Sequence, residues 1–244
     1  NQTFPYFELL IIDDGSKDEE SLKKLEEIQK LDNRIKVFHK ENEGLAATRD
    51  FGASKSSNTC KYLMFLDDDD LIEPTFLESA YWTLETNKDA AWAYSDSIGF
   101  GTQEYTWNKY FNSDKLKEEN ELLSEALVRK ADFNLVNGYE LREKSINEDW
   151  NFWLKLLAKG KYPVHMSFYG QWYRRKETGE LQKSRDNKTR ALEIIKETAS
   201  KIKEKVEAIQ YPRHKYNYDI IPEEIEGILI PEPVSYTHLR AHET

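Results

Sequence analysis

An α/β layered fold with a mainly parallel sheet is the class this sequence predicts, from three observations. Short apolar runs alternate with segments of helical periodicity, several of the runs end in acidic residues, and there are enough apolar and aromatic residues for a sizeable core. Strand–helix alternation favours parallel pairing, because each crossover helix returns the chain to the same end of the sheet. The 244 residues fit one large domain or two small ones. A net charge of −10 argues against nucleic acid as the main partner, since binding a phosphate backbone needs a basic surface. The single cysteine, Cys60, cannot form an internal disulfide, so a cytoplasmic location is expected. No apolar run approaches the ~20 residues that span a bilayer, and no signal peptide is present, so a soluble chain is expected.

Phe7–Ile12 (FELLII) is apolar, stops at DDGS and reads as a buried strand. Ser16 followed by Glu19 has the capping-box pattern, and Leu22, Leu25, Ile28 and Leu31 then share one helical face. Arg34–Phe38 alternates like a half-buried strand, and Gly44–Ser54 reads as a helix entered through KENEG. Tyr62–Leu66 is a buried strand, followed by a helix in EPTFLESAYWTLE with Pro74 in its first turn. Ala91–Asp96 is a further strand, and Ile98–Leu123 is aromatic, irregular and suited to covering a substrate. Asn147–Lys159 reads as a tryptophan-rich helix stopped by Gly160, and Pro163–Tyr173 alternates again. From Asn187 to Ile209, a long helix carries Leu192, Ile195, Ala199, Ile202, Val206 and Ile209 in a heptad-like seam. Such a seam either packs on the domain or forms a homodimer; a membrane-surface helix fits less well with its mixed charges.

The expected organisation is a catalytic domain over 1–185, the long helix over 186–210, a proline-rich linker over 211–233 and a foreign tail over 234–244. That tail, VSYTHLRAHET, resembles one reading frame of a sequencing adapter. With a start that meets a strand almost at once, a fragment truncated at both ends is expected.

The densest chemistry lies in LDDDD, where four acids follow a buried strand. Two like charges ~4 Å apart cost roughly 1 kcal/mol even in water. In an extended segment Asp67 and Asp69 point the same way, and such a pair at the carboxyl end of a strand suits Mg²⁺ or Mn²⁺. The plain alternative is a solvated acidic turn before a helix, for which one aspartate would serve. Asp13 and Asp14 also end a strand, where D-G-S is equally ordinary turn chemistry. Glu148 and Asp149 start the tryptophan-rich helix, where acids stabilise the helix dipole whatever else they do. None of the five histidines has metal-ligand spacing.

Taken in order, DDGS, NEGLAATRDFG, FLDDDD, NGYE and NEDWNFWLKLLAKG resemble the family 2 glycosyltransferases, over roughly Gln2 to Lys183. The resemblance implies the GT-A fold, without its first strand, and transfer of a sugar from a nucleotide-diphosphate donor. It implies nucleotide contacts by Asp13, Asp14, Arg49 and Asp67, with Asp50 where the family usually has asparagine. It places the D-x-D metal ligands on Asp67 and Asp69, supported by Asp70, and leaves Asp68 as a bystander. It places the E-D pair on Glu148 and Asp149, with Asp149 as general base. Gly138 and Tyr139 match a glycine-aromatic turn near the acceptor, and Trp150 is a further acceptor candidate.

Arg174 and Arg175 are the phosphate candidates, and Lys176 replaces a histidine that the family often has. Trp107, Tyr110 and Trp172 are aromatic candidates for stacking on sugars. GQWYRR echoes the Q-x-x-R-W signature of processive synthases only imperfectly, so single transfer is expected. An inverting, Mn²⁺- or Mg²⁺-dependent transfer to a saccharide or lipid-linked acceptor is the implied reaction, in cell-surface polysaccharide or glycoconjugate synthesis. Peripheral membrane contact stays open. So do two other readings: a nucleotidyltransferase on a similar sheet, and a non-catalytic carbohydrate-binding or scaffold module.

Overall fold

The computed structural model describes residues 1–108, 110–139, 147–176, 188–206 and 209–210. The linker 211–233 and the adapter-like 234–244 lie outside the described residues. Asn1–Tyr211 forms one compact unit. Its first layer pairs β1 (Leu9–Asp13) in parallel with β2 (Ile35–His39), through the helix α1 (Glu19–Gln29). The α1 N-cap is Asp18, which accepts the Ser21 N–H at 2.8 Å, so the expected Ser16–Glu19 capping box does not form. Ser16 instead donates its N–H to Asp13 Oδ1 at 3.0 Å, which tightens the turn after β1. Leu22, Leu25 and Ile28 are half-buried, but Leu31 lies beyond the helix and is 77% exposed.

Helix α2 (Leu45–Lys55) leads to the second, seven-stranded sheet. This contains β3 (Tyr62–Met64), β4 (Leu71–Ile72), β5 (Trp92–Gly101), β6 (Tyr105–Trp107), β7 (Leu127–Arg129), β8 (Pro163–Arg175) and β9 (Ile209–Gln210). The order is β3-β7-β5-β8-β4, with β6 on β5 and β9 on β8. The α/β class holds, but this sheet is mixed rather than mainly parallel. Strands β5 and β8 run parallel, as do β8 and β9, while β7, β6 and β4 pair antiparallel to their neighbours. Strand β7 lies between β3 and β5 and runs antiparallel to both.

Alternate residues of the central strands fill the two faces of the sheet. On one face Ala93, Leu127, Val164 and Met166 pack under Phe76, Ala80 and Leu84 of α3 (Phe76–Thr86). On the other, Trp92 and Val128 meet Phe152, Trp153 and Leu156 of α6 (Glu148–Ala158). Each large apolar side chain fully buried in this way contributes roughly 1.5–3 kcal/mol. Pro74 stands before the α3 N-cap, Thr75, rather than in the first turn. The expected irregular stretch Ile98–Leu123 contains the end of β5, β6 and the short α4 (Ser113–Leu116), while α5 (Lys130–Leu135) follows β7. Helix α6 stops where expected, at Gly160 with φ +71°.

The last helix, α7 (Lys188–Ser200), is shorter than the heptad seam implies, because Ile209 belongs to β9. Its Ile195 and Ala199, with Ile202 beyond its end, are buried in the core that includes α6. The seam therefore packs on its own domain, and these residues are not available as a homodimer face.

Candidate active site

The site gathers where β1, β3 and α6 present their acidic ends. After β1, Asp13 accepts the Ser16 N–H and faces His39 Nδ1 at 2.9 Å. Asp14 accepts Lys40 Nζ at 2.6 Å, the Glu43 N–H at 3.1 Å and the Gly44 N–H at 2.9 Å. Burial works against the charge of both acids, but these donors outweigh it and lower both pKa values. The Asp14 carboxylate thus binds the loop into α2. Gly44, the α2 N-cap, has φ +88°, a conformation that favours glycine.

Arg49 of α2 is 6% exposed and ties two distant acids together. One guanidinium nitrogen donates to Glu148 Oε1 at 2.7 Å, the other to Asp67 Oδ1 at 2.8 Å, and the group lies 5.4 Å from the centre of the Tyr139 ring. Burial disfavours its charge, yet Tyr139, Asp67 and Glu148 raise its pKa above the usual guanidinium value. Asp50, one residue on, accepts the Tyr139 N–H at 2.9 Å. Gly138 has φ +60°, and a Cβ there would stand 2.2 Å from Asp50 Oδ1. Tyr139 and Trp150 are both buried, so these two acceptor candidates are core side chains that support the site from beneath. Tyr139 packs with Phe65, Phe133 and Phe152, which is where an apolar ring gains most from burial.

The aspartate run is a turn, closed by the Asp70 N–H on the Asp67 carbonyl at 3.2 Å, so the alternation expected of an extended strand does not apply. Within the turn Asp69 Oδ2 pairs with Lys176 Nζ at 2.7 Å. Asp68 is exposed. Asp67, Asp70 and Glu125 each bring a carboxylate oxygen to within 4.8 Å of the other two. Burial raises the Asp70 pKa to about 6; the Arg174 N–H opposes this, and Asp69 and Asp67 add to it. Burial, then Asp67 and Asp70, push Glu125 up to about 8. Arg174 donates Nε to the Asp69 carbonyl at 2.8 Å and lies 4.4 Å over the Phe100 ring. Arg175 lies over Tyr173.

At the start of α6, burial and then Asp149 push Glu148 up to about 7 against the pull of Arg49. Asp149 is half-buried and accepts Asn120 Nδ2 at 3.3 and 3.2 Å and the Trp150 N–H at 2.7 Å. Burial raises its pKa, while Arg49, Trp150 and Asn120 resist. Trp107 lines a small cleft with Asp96, Ser97, Glu121 and Gln171. Trp172 donates to Glu73 Oε1 at 2.7 Å, and Tyr110 packs edge-on against His165.

Sequence reasoning missed Asn120 and Glu125. Nothing local marks Asn120, but Glu125 sits in ELLSEALV, and an acid enclosed by apolar residues before a strand is a readable signal.

Comparison with known proteins gives the family and the fold. The model of the family described as "Glycosyl transferase family 2" matches residues 1–140. An uncharacterised glycosyltransferase of Rickettsia conorii is 46% identical over 86 residues, 35% of this chain and 14% of the relative. A cholesterol galactosyltransferase of Borreliella burgdorferi is 41% identical over 81 residues, 33% of this chain and 22% of the relative. The chain therefore aligns with less than a quarter of either relative's length. In fold it is similar to residues 1–349 of S. aureus TarS in complex with UDP-GlcNAc. The TM-score is 0.67 at 18% identity, covering 82% of this chain and 59% of that one. A second likeness is GalNAc-T7 with UDP, GalNAc and Mn²⁺, with a TM-score of 0.55 at 18% identity over 69% of this chain and 38% of that one. With more than half of its length matched and a GT-A architecture around the acidic strand ends, the chain belongs to glycosyl transferase family 2.

Proposed function

We propose that this chain carries the donor site and the base of an inverting glycosyltransferase. It moves a sugar from a nucleotide-diphosphate donor to a hydroxyl of a saccharide or lipid-linked acceptor, in cytoplasmic synthesis of a cell-surface polysaccharide or glycoconjugate. One observation carries the reading. Asp149 stands at a helix N-terminus, oriented by Asn120, and its neighbour Glu148 is bridged through Arg49 to Asp67 of the aspartate run. The bridge puts a proton acceptor and a diphosphate-side acid in one rigid frame, as a single displacement requires.

In that displacement the acceptor oxygen bonds to the anomeric carbon, its proton passes to Asp149, and the nucleotide diphosphate leaves with the electron pair of the broken bond. Asp149 has to be ionised to act, and the helix N-terminus favours that form. Arg174 and Arg175 add positive charge beside the aspartate turn. The carboxylate oxygens of that turn are hard ligands, so Mn²⁺ or Mg²⁺ fits, anchored at Asp67. When bound there, the cation supplies Lewis-acid stabilisation of the departing diphosphate.

The test starts from UDP-sugars with Mn²⁺, because TarS and GalNAc-T7 hold UDP compounds, and extends to other nucleotide sugars. The expected result is Mn²⁺-dependent donor hydrolysis or transfer. Asp149→Asn should lower turnover by about 10²–10⁴-fold while nucleotide binding persists. Turnover unchanged by Asp149→Asn would remove the base assignment, and binding without turnover on any donor would favour a carbohydrate-binding module.

A further inference from the structure

We infer that the small cleft between β5, β6, β8 and the segment Glu121–Leu123 holds the acceptor, and that it takes a sugar ring by neighbouring hydroxyls, selected by Asp96, Ser97 and Gln171. The acceptor is then a saccharide rather than a lipid or protein hydroxyl. The inference rests on the proposed transferase reading. The cleft wall continues from Asn120, which holds Asp149 at 3.3 and 3.2 Å and immediately precedes Glu121. None of the donor-side acids Asp13, Asp14 and Asp67 lines it.

An irregular pairing of two strands builds the cleft. Ser95, Asp96 and Ser97 follow one another on β5, but their partners on β8 are Met166, Tyr169 and Gln171. Bulges of this kind re-aim side chains and recur beside active sites. A Cβ on Gly170, one of the extra residues, would lie 2.7 Å from Ser95 Oγ and 2.8 Å from the Phe76 ring, so the bulge depends on glycine. Ser97 pairs with Gln171 on one side and with Trp107 of β6 on the other.

The polar side chains here are buried yet unpaired. Gln171 and Ser97 are each 3% exposed, and among the described residues neither side chain makes a hydrogen bond. Unpaired polar groups are costly in an interior, and a cleft wall that keeps them suits a ligand that supplies the bonds. Asp96 is fixed in place beside them. His165 is fully buried, its Nδ1 has no partner and its Nε2 lies 2.7 Å from Asp96 Oδ1. The ring proton therefore sits on Nε2 and is donated to Asp96. Tyr94 stacks on that imidazole with ring centres 4.9 Å apart, and Tyr110 meets it edge-on at 5.5 Å. Asp96 Oδ2 has no hydrogen bond among the described residues and is left to accept a hydroxyl proton. Its charge repels anions, and no lysine or arginine lines the cleft to hold a phosphate. A carboxylate that accepts, an amide that donates and accepts, and a hydroxyl suit a neutral ring with several hydroxyls. The half-buried Trp107 offers apolar surface to the C–H face of such a ring.

The probes are methyl pyranosides (galactoside, glucoside, mannoside and N-acetylglucosaminide), added to the full chain with and without UDP and Mn²⁺ and followed by saturation-transfer difference NMR. Wild type should bind at least one of them. Gln171→Leu, which nearly keeps the side chain's volume, should weaken that binding by about tenfold, the loss of a buried hydrogen bond. Its UDP affinity and melting temperature should stay near wild type. Ser97→Ala should weaken glycoside binding in the same direction, and the control Trp82→Ala, an exposed aromatic on α3, should bind like wild type. In turnover with a UDP-sugar, Gln171→Leu should raise the acceptor KM by about tenfold and leave donor hydrolysis within twofold. A wild type that binds no glycoside would overturn the inference, as would binding that both variants leave within twofold. Donor hydrolysis lost in Gln171→Leu with glycoside binding intact would assign the cleft to the donor's sugar and overturn it too. Glycoside binding that needs Gln171, in a chain that turns over no nucleotide sugar, would leave the sugar subsite standing and sink the transferase reading.

Discussion

The two hydrogen bonds from Asn120 to Asp149 stabilise an ionised carboxylate against the burial that raises its pKa. Asn120→Ala removes that support, so the pKa of Asp149 should rise further. Because the proposed base would act only when deprotonated, the acidic limb of the pH–rate profile should move to higher pH. A hydrogen bond to a charged group is worth about 1.5–3 kcal/mol, and these long ones fall at the low end, for a shift of about one pH unit. Turnover at high pH and UDP affinity should stay near wild type. A profile that keeps its position would show that Asn120 only packs against the base.

At the scale of elements, the turn before the undescribed segment 140–146 is fixed by α2. Gly138 sits in a left-handed conformation against Asp50, and Gly138→Ala would force a Cβ into Asp50 Oδ1 and, at 2.8 Å, the Phe133 ring. The expected cost is about 1–3 kcal/mol, measured as a lower midpoint in denaturant unfolding. An unchanged midpoint would mean the turn relaxes without loss. Most elements were legible because their periodicity is local: FELLII, RIKVF and the α6 tryptophans announce strand or helix unaided. The aspartate run was not, since whether four acids extend or turn depends on Arg174, over a hundred residues away, whose N–H holds Asp70. The end of the last helix was equally hidden, because pairing with β8 claims Ile209 for a strand. Strand β7 is three residues long and carries too little pattern to be read alone.

For the whole molecule, the two sheets differ in how deeply they are buried. Helix α1 has no fully buried residue, β1 has only Asp13 and β2 has none, whereas seven of the ten residues of β5 are buried. Regions with few buried apolar contacts open at lower free energy. Amides of β1, α1 and β2 should therefore exchange with deuterium well before those of β5 and the start of β8, and equal protection would show that the two layers unfold together. The family was legible from motif order because each motif marks a strand end or helix start that the fold brings to one place. Which acids finally meet there was not, since that is decided by tertiary packing.

Arg49 makes those acids depend on one another. Asp67→Asn leaves its guanidinium paired with Glu148, and Glu148→Gln leaves it paired with Asp67. The double variant strands a buried cation with neither, so its loss of stability should exceed the sum of the single losses by about 0.5–3 kcal/mol. A denaturant double-mutant cycle with zero coupling would contradict this. Two positions 81 residues apart, read off the numbering, are in this sense one heritable trait: either can drift while the other stands guard, and the second change meets a fitness barrier that the first did not.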